Sequence, residues 1–150
     1  MPLKVHFETL GCKLNQIESE SIAKSFGDYG FLCTMEPITA KKDICLDTKL
    51  AIINTCTVTS KAEQKARRII RLLLEKFPNA IIIVTGCYAE VESQTIEKID
   101  TRLAVLKGTA KDALADYPNI IFDYLKSKEA YNPIDFCNFL KINFAKVQIT

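Results

Sequence analysis

The sequence of 150 residues lacks any apolar run approaching the roughly 18 residues that a membrane-spanning helix needs, so no such helix is predicted and no membrane partner is expected. It also lacks an excess of one charge. Twenty Lys and Arg face 18 Asp and Glu for a net charge of +2, too small a surplus to demand a nucleic-acid partner and too balanced to make an acidic or basic tail. Its six cysteines include no close pair of the kind that structural zinc sites offer. No secretory leader is evident, because Met1-Pro2-Leu3-Lys4 runs straight into a strand-like segment. A cytoplasmic protein with reduced thiols is therefore expected, and a chain this long does not need disulfides to hold together. What the sequence does have is a hydrophobic fraction of 48%. At this length a fold buries roughly 70% of the surface its unfolded chain exposes, so one packed core is expected rather than disorder.

Strand and helix patterns alternate along the chain. Val5, Phe7 and Thr9 alternate with His6, Glu8 and Leu10 before Gly11, which reads as a strand entering a turn. Ile22, Ala23 and Phe26 fall at helical spacing between Asn15 and Tyr29, with Gly30 as the stop. Phe31 to Met35 and Leu50 to Asn54 read as strands. Thr59 or Ser60 is placed to cap a helix from Lys61 to Phe77, whose apolar side is Ala62, Ala66, Ile69, Ile70, Leu73 and Phe77. The opposite side carries Lys61, Lys65, Arg68 and Arg71. Such a charged side is usually just solvated, Glu63 and Glu75 dilute its field, and contact with RNA phosphate is the second reading. Ala80 to Val84 is a continuous apolar run, as in a strand covered on both faces of a parallel sheet.

A helix near Glu92 to Ile99, a strand near Leu103 to Leu106 and a helix near Ala110 to Tyr117 continue the alternation. The pattern predicts an α/β fold: an open, mainly parallel five-stranded sheet of flavodoxin or Rossmann type, with helices on both faces and strand order 2-1-3-4-5. Residues 1–118 are expected to form that domain. Residues 119–150, with a Tyr131-Asn132-Pro133 turn and a run from Ile142 to Ile149 that could make a strand, are expected to be an irregular tail or linker toward a further domain.

Three cysteines occupy one topological position. Cys12 lies two residues after Leu10, Cys56 two after Asn54 and Cys87 three after Val84, each just past the C-terminal end of a predicted strand. In an open parallel sheet those ends share one edge, where such folds bind ligands. Positions 44 and 31 residues apart can therefore converge, because each interval is read as one helix-containing crossover. Gly11 and Gly86 precede two of the three, and glycine lets backbone approach a bulky group. A single loop cysteine is more often a small buried hydrophobe than a ligand, and Cys33, Cys45 and Cys137 keep that reading. Three soft thiolates at one edge suit an iron–sulfur cluster better than zinc, and on a [4Fe–4S] cluster they would leave one iron corner open. Under the alternative, the chain is a non-enzymatic module that binds an anion or a partner with its edge loops, and the cysteines are incidental.

The runs Thr9-Leu10-Gly11-Cys12-Lys13-Leu14-Asn15-Gln16, Asn54-Thr55-Cys56-Thr57-Val58-Thr59 and Val84-Thr85-Gly86-Cys87-Tyr88-Ala89 resemble the N-terminal domain of the radical-SAM methylthiotransferases, over roughly residues 4 to 110. Their wording is most similar to the branch acting on N6-threonylcarbamoyladenosine at position 37 of tRNA. The resemblance implies that Cys12, Cys56 and Cys87 bind an auxiliary [4Fe–4S] cluster that serves sulfur or methylthio insertion at C2 of that nucleoside, with tRNA and a sulfur donor as partners. It implies Lys13, Asn15, Gln16, Thr57 and Thr59 as residues around that cluster, although first-turn capping or plain solvation accounts for them equally well. It also implies S-adenosylmethionine and a second [4Fe–4S] cluster on a Cys-x-x-x-Cys-x-x-Cys motif in a following domain. That motif is absent from this sequence, so the chain alone is expected to be inactive.

Overall fold

A computed structural model describes residues 3–11, 13–56, 59–107, 110–127 and 131–144. Strands β1 (Lys4–Thr9), β2 (Leu32–Thr34), β3 (Thr48–Thr55), β4 (Ile81–Gly86) and β5 (Leu103–Val105) form one sheet in the order β2-β1-β3-β4-β5. Every neighbouring pair is parallel. The expected sheet and strand order are thus borne out. Helices are α1 (Lys13–Asp28), α2 (Ser60–Lys76), α3 (Cys87–Val91), α4 (Ser93–Glu97), α5 (Ala110–Asp116), α6 (Pro118–Ser127) and α7 (Pro133–Phe144). No helix among the described residues is long and apolar enough to cross a membrane.

Side chains alternate across a strand, so each strand feeds two cores. On one face Val5, Phe7, Leu50, Ile52, Ile81 and Ile83 pack with residues of α1, α5, α6 and α7. On the other, Ala51, Ile53, Ile82 and Val84 pack with α2 and with Tyr88, Ala89 and Ile96 of α3 and α4. All six residues of β4 are buried, which is why that strand reads as unbroken apolar sequence rather than as an alternation.

β1 is the exception in composition. His6 and Glu8 are 1% and 4% exposed because the connection from β2 to β3 covers them, with Ile38 buried in the α2-side core. Their polar atoms are paired: His6 Nε2 lies 2.8 Å from Glu8 Oε1, His6 Nδ1 lies 2.8 Å from Thr34 Oγ1, and the Ile38 amide donates to the Glu8 carboxylate at 3.0 Å. Those bonds offset the cost of burying polar groups.

Two expectations need correction. The segment from Asn119 is not irregular: Pro118–Ser127 and Pro133–Phe144 are helices, and Ile121, Phe136, Cys137, Leu140 and Phe144 are buried in the α1-side core. Phe136, Leu140 and Phe144 recur every four residues and so share one face of α7, which packs against β5 and β4. Ile142 to Phe144 belong to that helix, while residues 145–149 of the expected last strand lie outside the described residues. The helix expected near Glu92 to Ile99 is instead the pair α3 and α4, and it begins earlier, at Cys87.

At the far end of the sheet one side chain ties α2 to the strands. The Arg102 guanidinium donates to the carbonyls of Leu74 (2.8 Å), Phe77 (2.9 Å), Pro78 (2.9 Å) and Ala80 (3.1 Å). It meets the Leu74 carbonyl in the last turn of α2, where carbonyls lack helical partners, and ties it to the chain that follows the helix. Arg102→Ala strips these charge-assisted bonds at once and is expected to cost about 2–3 kcal/mol, lowering the melting temperature by roughly 4–12 °C for a domain of this size. Calorimetry checks this, and an unchanged melting temperature would contradict it.

Candidate metal centre

β3 and β4 are hydrogen-bonded neighbours in a register that sets Thr55 opposite Gly86. The next residue of each strand is a cysteine, so Cys56 and Cys87 leave the sheet side by side from strands about 4.8 Å apart. Cys56 is half-buried and Cys87 exposed. The loop after β1 closes onto the same place. A Cβ built on Gly11 would overlap the Cβ of Cys56 and stand 3.0 Å from its Sγ, so the Gly11 backbone lies directly against the Cys56 side chain. Cys12, the residue after Gly11, lies outside the described residues, as does Thr57. Among the described residues no three His, Cys, Asp or Glu gather closely enough to hold a metal. The structure therefore brings together Cys56, Cys87 and the glycine that carries Cys12.

The local sequence explains why these loops hold their shape. Asn15, buried in the first turn of α1, donates through Nδ2 to the Leu10 carbonyl at 2.9 Å and to the Thr55 carbonyl at 3.2 Å. It thereby stitches the loop after β1 to the end of β3. Asn54 Nδ2 donates back to the Asn15 carbonyl at 3.2 Å. Thr55 Oγ1 donates to the Thr85 carbonyl at 2.7 Å and accepts from the Tyr88 amide at 3.2 Å, which fixes the first turn of α3 around Cys87. Tyr88 is 1% exposed, and its hydroxyl accepts from Arg67 at 3.2 Å.

The other residues implied at the site are placed less directly. Lys13 is exposed at the start of α1, and Gln16 is exposed and lines a groove with Glu8, Thr9, Glu20, Met35 and Pro37. Thr59 Oγ1 accepts from the Ala62 amide at 3.1 Å as the cap of α2. Sequence reasoning did not single out Thr55, Asn54 or Thr85. Their signal was present in the form of polar residues closing two otherwise apolar strands.

Two buried polar atoms lie two residues before the cysteines, the Thr85 hydroxyl and Asn54 Oδ1, and neither has a hydrogen-bond partner among the described residues. Together with the two soft sulfur donors of Cys56 and Cys87, this donor set fits an iron–sulfur group. Cys33 and Cys137 do not join it. Cys33 sits in β2 with its thiol 3.5 Å from the Ala23 carbonyl, and Cys137 sits in α7 near the Leu103 carbonyl. Burial pushes both thiols up from the ordinary cysteine range. Iodoacetamide at neutral pH should therefore modify Cys87 first in the metal-free chain and Cys137 only after unfolding. Mass mapping against time tests the order, and equal rates for the two would refute it.

Residues 4–108 match the model of the uncharacterized protein family UPF0004. The chain belongs to that family. A threonylcarbamoyladenosine tRNA methylthiotransferase MtaB of Treponema pallidum is 50% identical over 118 residues, covering 78% of this chain and 23% of that protein. The protein of the same name from Aquifex aeolicus is 32% identical, over 85% of this chain and 28% of its own length. A tRNA-2-methylthio-N(6)-dimethylallyladenosine synthase of Buchnera aphidicola is 31% identical, over 94% of this chain and 30% of its own length. These relatives support the likeness to the N-terminal domain of an MtaB-like enzyme. The UPF0004 chain thus spans less than a third of the length of the curated relatives it matches, and the matched segment carries all three cysteine motifs.

Proposed function

We propose that this UPF0004 chain is the cluster-holding part of a tRNA methylthiotransferase, with Cys12, Cys56 and Cys87 as thiolate ligands of an auxiliary [4Fe–4S] cluster. The substrate of the whole enzyme is N6-threonylcarbamoyladenosine 37 of tRNA, modified at C2. The observation that carries the reading is the Thr55–Gly86 register, which delivers Cys56 and Cys87 to one edge beside the Gly11 backbone. The names of the relatives support the reaction class and tRNA as substrate. When bound, such a cluster would supply an iron with an open coordination position for a sulfur species brought by a donor.

The chain's own residues do the holding. Asn15 and Thr55 fix the loops that bear the thiols, and Gly11 and Gly86 let those loops approach one another more closely than a side chain would allow. S-adenosylmethionine and the second [4Fe–4S] cluster belong to sequence outside this chain, which has no Cys-x-x-x-Cys-x-x-Cys motif of its own; alone it should not turn over. The whole enzyme would work in the cytoplasm. Anaerobic reconstitution with iron and sulfide tests the assignment. Wild type should take up about four irons and four sulfides per chain, and full loading by the variant with all three cysteines changed to alanine would overturn the proposal.

A further inference from the structure

Lys61, Lys65, Arg68 and Arg71 are all exposed on α2. At intervals of three and four residues they form one row on the helix, away from the buried side made by Ala66, Ile69, Ile70 and Leu73. At 1.5 Å per residue the row is about 15 Å long. It starts at the cysteine edge, since α2 begins four residues after Cys56, and runs away from it.

Among the described residues none of the four makes an ion pair. Of the two acids that dilute the face in sequence, Glu63 is half-buried and lies on a different side of α2, one turn from Arg67, the arginine held by Tyr88. Only Glu75, beyond the far end of the row, shares its exposure. The net +2 of the whole chain therefore conceals a local concentration of four unneutralised cations on one layer.

We infer that this row is where the domain meets the phosphate backbone of its RNA. The inference rests on the reading of the chain as part of a tRNA-modifying enzyme and adds to it a surface. Unpaired exposed cations need little desolvation or rearrangement to meet phosphate, and each contact releases condensed counterions. The logarithm of affinity then falls with the logarithm of salt by about 0.7–0.9 per phosphate neutralised. The row's start beside Cys56 would align an RNA strand so that it leads to the cysteine edge.

The test measures anisotropy of a labelled RNA stem-loop with the 150-residue chain over a range of salt concentrations. The probe is a short RNA hairpin with a seven-nucleotide loop. The variant K61Q/K65Q/R68Q/R71Q should lose affinity at least tenfold at low salt and reduce the salt slope by about 3. The matched control removes exposed or half-exposed charge from the other face of the sheet, with K24Q in α1 and K141Q in α7. It is compared with K61Q/K65Q, which has the same change in net charge, and should leave the slope nearly unchanged. The inference is overturned if wild type does not bind the hairpin, if the fourfold variant keeps its slope, or if the control pair weakens binding as much as K61Q/K65Q. Iron uptake is read on the same samples. Full loading by the fourfold variant keeps any failure of the RNA surface distinct from a failure of the cluster reading.

Discussion

Gly86→Ala is expected to destabilise the fold by about 3 kcal/mol or more, the largest stability effect of any single substitution near the cysteine edge. Gly86 has φ 97° and ψ −166°, a region that residues with a side chain essentially do not occupy. The space is closed as well. A Cβ there would overlap the Thr55 carbonyl oxygen and stand 2.7 Å from the Thr55 amide nitrogen and 2.9 Å from Asn54 Oδ1. Two of those three atoms are backbone of β3, in the middle of the sheet between β1 and β4, so they cannot recede without breaking strand pairing. At Gly11 the obstacle is instead the Cys56 side chain, and its φ of 100° also lies where residues with a side chain are strained.

Urea denaturation measures the Gly86 effect. The midpoint should fall with the slope unchanged, and the melting temperature should drop by roughly 6–12 °C. A wild-type midpoint in the alanine variant would mean that the β3–β4 junction is not built as described.

Cys56→Ala should abolish cluster assembly while leaving the fold nearly intact, and Cys87→Ala should do the same. Each removes one of three proposed thiolates, and the two that remain leave two iron corners without protein ligands. Iron per chain after anaerobic reconstitution should fall at least tenfold. The cost to folding is small because Cys87 is exposed and Cys56 only half-buried; substitutions at such sites usually stay within about 1 kcal/mol. The two readouts together separate loss of a ligand from loss of structure. Cys33→Ala and Cys45→Ala should load iron like wild type, since neither lies at the cysteine edge. Cys137→Ala should also load iron but lose some stability, because Cys137 is 2% exposed in the core. Equal iron loss on mutating Cys45 and Cys56 would remove the distinction on which the three-cysteine assignment depends.

The helix Ser60–Lys76, the strands around it and the strand order were legible because their signals are local. A 3.6-residue apolar period and unbroken runs such as Ile81 to Val84 report the element and how many of its faces are covered. That Cys56 and Cys87 follow the ends of neighbouring strands was legible for the same reason, as each closely follows such a run. Helices α6 and α7 were not. Pro133 and the Tyr131-Asn132 turn interrupt their pattern, and their apolar faces gain meaning only against the sheet face beside α1 and α5. His6 and Glu8 likewise read as the polar side of an alternating strand, and only the connection through Ile38 buries them.

By itself the sequence determined the five strands and their order, the helices α1, α2 and α5, and which residues stand at strand ends. The tertiary structure decided that Thr55 faces Gly86, that Gly11 presses on Cys56, and that Lys61, Lys65, Arg68 and Arg71 stand on one layer with no ion pair among the described residues. The physical reason is range. Backbone preference and hydrophobic period act over a few residues, whereas register and contact between loops 31 to 44 positions apart exist only once the parallel sheet has closed.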